Sequence, residues 1–339
     1  MKFNPPYKLL AYSFIFLLVG GFCGYFIGKF QQAKKANAEL GQISPIRENN
    51  SQYKFIHPLL GYNTPESTDL SEIKSLESQV QNFINTQIAE HKINRASVYY
   101  KNLNNGHWMA INEDQKYTPA SLFKVPLLIA YLKTAEQRPE ILKNPLTKTD
   151  SLDQDDGESI RPAQSIKLKQ PYTVEELLEF MIKYSDNNAT QLLFDAADKN
   201  FFKEIFSDLR ISLPSSDAEE DFITVKDYAF FFRILYNATY LNREESEKAL
   251  NLLSQTTYKD GLVAGVPANM TVAHKFGEYS LINNGKVEKR QLHDCGIIYA
   301  LDNPYKLCVM TEGQNFEDLK ATIAQISKLV YGNTPNLKK

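Results

Sequence analysis

Apolar residues recur at Ile73, Leu76, Val80, Phe83, Ile84 and Ile88, a spacing near 3.6 that predicts an amphipathic helix, with Asp69 and Glu72 in capping-box spacing at its start. The pattern then shortens. Ala96 to Leu103 and His107 to Asn112 read as two strands joined by Asn104-Asn105-Gly106, a hairpin signal. From Ser121 to about Ser254 the periodicity is mainly helical. Strand-like stretches return at Met270 to Phe276, Gln291 to Leu301 and Tyr305 to Thr311, with Asp302-Asn303-Pro304 as a turn, and a helix from Phe316 to Tyr331 closes the chain. Strands at both ends and helices between them predict an α+β unit: a five-stranded antiparallel sheet flanked by terminal helices, with an inserted all-helical lobe. A cleft is then expected between sheet and lobe.

The N-terminal pattern differs. Between Lys8 and Lys29 lie twenty residues without a charge, long enough as a helix to cross the ~30 Å hydrocarbon layer of a bilayer. The first small-residue pair, Ala36 and Ala38, comes only after Lys29, Lys34 and Lys35, which favours an uncleaved transmembrane helix over a signal peptide. Phe22 before Cys23 argues against lipid attachment there. Residues 31–70, rich in Asn, Gln, Ser and Pro, read as a tether whose apolar island, Tyr53 to Leu60, packs on the domain behind it. The expected order is therefore an anchor at 1–30, a tether at 31–70 and one domain at 71–334.

Composition narrows the partners. With 43% hydrophobic and 23% charged residues the 339-residue chain is globular, and a formal net charge of −2 disfavours a nucleic-acid partner. Five scattered histidines and three cysteines offer no metal-ligand spacing, so neither a metal nor another cofactor is expected. Cys295 and Cys308 are expected as two buried thiols, placed diagonally on neighbouring strands.

Three short motifs carry chemistry. Ser121 opens a helix with Lys124 one turn on, and the apolar run Val125 to Leu132 buries that lysine. A helix N-terminus favours an oxyanion, and a buried lysine has a depressed pKa, so it can serve a serine as base. The same Ser-x-x-Lys spacing at Ser51 and Ser71 lacks this apolar context. The second motif is Tyr184-Ser185-Asp186-Asn187, polar residues between two apolar helices, the first of them capped by Thr173 and Glu176. Standing alone it would read as a helix cap. The third is Lys275-Phe276-Gly277-Glu278 on a strand, with Lys275 as a cation and Gly277 as a place where a substrate can approach the backbone.

In this order the motifs resemble those of the serine β-lactamases and penicillin-binding proteins, and the resemblance to class A β-lactamases extends over about Ile73 to Tyr331. It implies Ser121 as acylated nucleophile, Lys124 as base and Ser185 as proton carrier to the leaving nitrogen. Asn187 and Lys275 would bind the substrate amide and carboxylate, and the N–H groups of Ser121 and Glu278 would form the oxyanion hole. The implied substrate is a β-lactam or an acyl-D-Ala-D-Ala peptide, met on the outer face of the cytoplasmic membrane.

Two departures stand out. The glutamate loop that deacylates class A enzymes has no counterpart between Asp198 and Phe222, where the only acidic cluster is Asp217 to Asp221, with Glu219, Glu220 and Asp221 as candidate bases. Phe276 occupies a position where the family has Thr or Ser. Strand alternation places it with His274, opposite Lys275. The absent base leaves a penicillin-binding peptidase or a non-turnover receptor as the alternatives to a β-lactamase.

Overall fold

In a computed structural model of the chain, the described residues are 44–48, 52–63, 71–213, 220–301 and 303–333. The chain divides into two compact units, 1–44 with 62–69, and 45–61 with 70–339. The second contains the residues of all three motifs. The anchor expected at 1–30 lies outside the described residues, and no helix among those residues is long and apolar enough to cross a membrane.

In chain order the elements are β1 (Ser44–Arg47), β2 (Leu59–Asn63), α1 (Ser71–Ala89), β3 (Arg95–Asn102), β4 (Trp108–Ile111) and β5 (Lys116–Tyr117). A 3₁₀ turn, Ala120–Phe123, leads into α2 (Lys124–Ala135). Then come β6 (Pro145–Thr147), β7 (Pro171–Thr173), α3 (Val174–Glu179), a π-helical turn at Phe180–Tyr184, α4 (Asn187–Ala196), α5 (Lys199–Asp208), β8 (Ile223–Thr224), α6 (Val225–Tyr236) and α7 (Arg243–Ser254). The chain finishes with β9 (Val272–Asn283), β10 (Lys286–Ile298), β11 (Tyr305–Gly313) and α8 (Phe316–Asn333).

The main sheet is five-stranded in the order β4-β3-β11-β10-β9, antiparallel throughout. Alternation along its strands supplies two separate cores. One face packs Val98, Leu292, Leu307 and Val309 against Val80 and Ile84 of α1 and Leu319, Ile323 and Ile326 of α8. The other packs Ala273, Cys295, Ile297 and Met310 against the helical lobe, where α2 is buried along nearly its whole length. A helix buried on all sides reads as a continuous apolar run, which is why Val125 to Leu132 shows little periodicity.

Two features differ from the sequence reading. Strands β9 and β10 extend past Phe276 and begin before Gln291, because Asn284 (φ 51°) and Gly285 (φ 73°) make a tight hairpin turn with both central residues in the left-handed region. Cys295 lies directly opposite Cys308 and the two form a disulfide, not a diagonal pair of thiols. The β10–β11 register also pairs Ile298 with Tyr305, so the connection is longer than the Asp302-Asn303-Pro304 turn and the strands sit in a different register than expected.

The apolar island upstream packs on this unit as its composition suggests. Phe55 and Ile56 are buried, and Phe55 meets Tyr299 edge-on at 5.3 Å. The Glu247 carboxylate on α7 accepts the backbone N–H groups of Lys54, Phe55 and Ile56 at 2.7–3.1 Å. Arg47 donates to the carbonyls of Leu103 and His57 and to Asn237 Oδ1. A carboxylate with several backbone donors makes charge-assisted bonds, stronger than neutral ones.

Candidate active site

Ser121 sits in the 3₁₀ turn and Lys124 begins α2, so the two share one side of a continuous helical path. Ala120, just before the serine, has φ 49°, a left-handed conformation unusual for a residue with a Cβ and often found where backbone strain serves a site. Gly277 of β9 explains how the turn is held. A Cβ there would lie 2.9 Å from the Leu122 backbone nitrogen and 3.0 Å from the Pro119 carbonyl oxygen. Its bare Cα therefore lets the strand touch the serine's own turn, a packing role in addition to the opening for substrate that the sequence suggests.

Lys124 is 3% exposed, and its ammonium donates to the Ser185 carbonyl at 2.5 Å, Ser185 Oγ at 3.0 Å and Asn187 Oδ1 at 2.6 Å. Three protons meet three acceptors. Among the described residues no hydrogen bond joins Ser121 to Lys124, so the charged amine has no lone pair and no free donor for the serine. Burial pulls its pKa down to about 8, against the opposing pull of Asp155, Asp186, Glu158 and Glu278. Near neutral pH it is poised between ammonium and base.

Lys275 is fully buried and donates to the same Ser185 Oγ at 2.9 Å and to the Phe276 carbonyl at 2.7 Å. Its pKa is lowered well below the usual lysine value by burial and then by the charge of Lys124. Two lysines thus converge on one hydroxyl. Ser185 can accept from both and pass its own proton elsewhere, the geometry of a relay.

The chain places Ser185 there by ending the π-helical turn. Ser185 takes a left-handed conformation (φ 61°), which breaks the helix and starts α4 at once. Asp186 caps α4, accepting from the backbone N–H groups of Asn188 and Ala189, and also receives Ser165 Oγ and the Ile166 N–H. The motif therefore does both things its composition allows: Asp186 caps, while Ser185 and Asn187 face the lysines.

The β6–β7 connection, which the sequence did not mark as part of the site, completes it. Asp155 accepts the Asn187 N–H at 3.0 Å, and Glu158 accepts Asn187 Nδ2 at 3.0 Å. On the sheet side, Ile160 N–H donates to Glu278 Oε1 at 2.6 Å. The Glu278 side chain is buried and its second oxygen has no donor, but it faces the Glu158 carboxyl. Two carboxyls bond only if one holds a proton, and burial with this neighbour lifts Glu278 to about 7. Asp155 is lifted to about 6, chiefly by burial. The residues 155–160 therefore bridge the second motif to β9. No periodicity or motif marks this segment, so only the fold reveals it.

Phe276 does not face Ser185, but its ring lies under the Lys275 ammonium, 4.1 Å from ring centre to nitrogen. It is 4% exposed and stacks on Tyr258 at 4.1 Å in the sheet's other core, beside His274, whose Nδ1 meets Asp294 Oδ1 at 2.8 Å. No hydroxyl replaces the family's Thr or Ser on this strand position.

The acidic cluster supplies no ready base. Asp221 accepts Thr118 Oγ1 at 2.7 Å, Gln291 Nε2 at 3.0 Å and Arg95 at 3.0 Å, with Lys289 at 3.2 Å; against the opposing pull of burial, the Thr118, Gln291 and Lys289 donors hold its pKa down. Glu220 accepts the Tyr279 hydroxyl at 2.6 Å and is exposed. Glu219 lies outside the described residues. Among the described residues no group of three His, Cys, Asp or Glu could hold a metal ion.

Comparison with known proteins agrees with this architecture. The fold is similar to that of a single-substitution mutant of PBP-A, solved as an acyl-enzyme complex with penicillin G (TM-score 0.63, 22% identity, 77% of this chain and 96% of that one). It is also similar to a β-lactamase from Chitinophaga pinensis (0.63, 20%, 75% and 98%) and to a class A β-lactamase from Mycobacterium abscessus (0.62, 20%, 76% and 98%). No curated protein matches the sequence. The sequence itself matches the profile described as the beta-lactamase enzyme family over residues 75–334, a span that includes every residue of the three motifs, and the chain therefore belongs to that family.

Proposed function

We propose that the protein is a serine hydrolase that opens β-lactam amides through an acyl-enzyme on Ser121. The observation that carries this reading is the convergence of Lys124 and Lys275 on Ser185 Oγ, two buried amines whose protons are loosened by burial and, for Lys275, by the charge of Lys124 as well. In this reading neutral Lys124 takes the Ser121 proton as the hydroxyl attacks the carbonyl carbon. The tetrahedral oxyanion is held by the N–H groups of Ser121 and Glu278, worth ~3 to 4 kcal/mol per donor in comparable hydrolases. Ser185 then hands a proton to the departing nitrogen and recovers one from the lysines. Asn187, already held by Lys124 and Glu158, positions the substrate amide, and Lys275 attracts its carboxylate.

A second reading is favoured by Asp221. Its carboxylate is saturated with donors, so no deacylating base stands ready among the described residues of the acidic cluster, and a long-lived acyl-enzyme fits a penicillin-binding D,D-peptidase or a covalent receptor. The Cys295–Cys308 disulfide supports an oxidising location outside the cytoplasm, with residues 1–30 as the anchor and 31–70 as the tether. Incubation of the full-length chain with a chromogenic cephalosporin, followed by colour and intact mass, separates the readings. Continuing colour indicates turnover. A single burst with a stable adduct on Ser121 indicates the second reading, and neither colour nor adduct removes β-lactams from both.

A further inference from the structure

Beside the Ser121 turn lies a pocket of about 730 Å³ whose wall includes neither Ser121 and Lys124 nor any residue of the second and third motifs. Its walls include Pro119 and Ala120, the two residues before Ser121, and the rings of Phe123, Phe194, Phe202 and Phe222. Three of the rings form a continuous surface: Phe202 lies 5.1 Å from Phe123 and 6.0 Å from Phe194. Tyr279, the residue after Glu278, lines the same pocket from β9. The pocket therefore abuts both groups proposed to hold the oxyanion, while Ser185, Asn187 and Lys275, which face the departing nitrogen, are absent from its wall. With the leaving nitrogen of a substrate at Ser185, the space left for the carbon chain on the other side of the carbonyl is the one walled by Pro119, Ala120 and Tyr279, which is this pocket. The volume lies within the range of small-molecule sites, and the ring-lined wall rewards apolar contact.

We propose that this pocket receives the acyl part of the substrate, and that the enzyme selects carbonyl compounds carrying an extended apolar or aromatic acyl group. The inference rests on Ser121 forming an acyl-enzyme. It assigns specificity to Phe123, Phe194, Phe202 and Phe222, none of which takes part in bond making. The exposed side chains of Lys199 and Lys203 at the edge set the limit where the apolar wall ends.

The test uses the full-length chain with p-nitrophenyl esters from acetate to octanoate, reading the nitrophenolate burst and the mass added at Ser121. Each methylene that enters the pocket is expected to raise the acylation rate about fourfold, levelling once the chain outgrows the pocket. Phe194→Ser and Leu213→Lys, both at half-buried positions in the wall, should each reduce that increment below about twofold per methylene. The ratio of octanoate to acetate rates within each variant cancels any loss of folded protein. A flat series with Ser121 still acylated overturns the pocket's role and leaves the serine hydrolase reading intact. So does a steep series that survives both substitutions. No adduct on Ser121 from any ester or from penicillin overturns the hydrolase reading, and this inference falls with it.

Discussion

Strand β9 carries two buried polar arrangements back to back. On the lobe side Lys275 shares Ser185 Oγ with Lys124, so two amines are drawn to one hydroxyl. On the other side His274 Nδ1 meets Asp294, whose second oxygen accepts the Leu262 N–H at 2.8 Å, with Phe276 stacked on Tyr258 nearby. Both are sealed from solvent. The difference is in charge: two lysines meet on one side, a histidine meets a carboxylate on the other. The histidine–aspartate arrangement ties β9 to β10 and to the 262 turn, and reads as structure. Burial lowers the proton affinity of both lysines and the charge of Lys124 lowers that of Lys275 further, which in the proposed reading keeps a proton mobile.

The largest effect tests the lysine side. Lys124→Met should lower the Ser121 acylation rate about a thousandfold, measured as adduct formation by mass. In the native chain that rate should climb with pH toward a plateau above about 8, because only neutral Lys124 can take the serine proton. The same depressed pKa has a stability signature. Between about pH 8 and the unfolded value of 10.5, the unfolded chain holds a proton that the folded chain has lost, so native stability rises across that window. Lys124→Met should remove its share of that slope, and an unchanged slope would show that Lys124 keeps an ordinary affinity for its proton.

Asp294→Ala tests the histidine–aspartate side. It leaves His274 and the Leu262 N–H without their acceptor and should cost about 3 to 5 kcal/mol in urea unfolding. Acylation per folded molecule should change less than tenfold. A collapse of acylation at unchanged stability would reverse the assignment of the two faces. Gly277→Ala probes the seam between them: the added methyl meets Leu122 backbone, so the turn must shift, and acylation should fall about 100-fold with a smaller loss of stability. Thr173→Ala, remote from both faces, removes a capping box and should cost only about 1 kcal/mol, leaving the acylation rate unchanged.

Periodicity alone places α1, α8 and the β3–β4 hairpin, and the three motifs name the residues that surround Ser185. Other parts are hidden for identifiable reasons. The register of Cys295 against Cys308 depends on the path of the 299–304 connection, which a count of residues does not determine. The β9–β10 turn is announced by Asn284-Gly285, a strong hairpin signal that a strand ending at Phe276 leaves unused. Asp155 and Glu158 lie in an irregular connection with no period and no motif, so their approach to Asn187 is visible only in three dimensions. The aromatic pocket combines rings from the 3₁₀ turn, α4, α5 and the segment before β8, positions that no single window of sequence brings together.

The clasp formed by Glu247 on the N–H groups of residues 54–56 bears on where the catalytic unit can be cut for laboratory use. A recombinant fragment starting at residue 71 would strip Phe55 and Ile56 from the interior, bare the ring of Tyr299 and strand a glutamate built to receive three amides. Trimming should therefore stop ahead of Pro45, so that the whole latch travels with the enzyme it fastens.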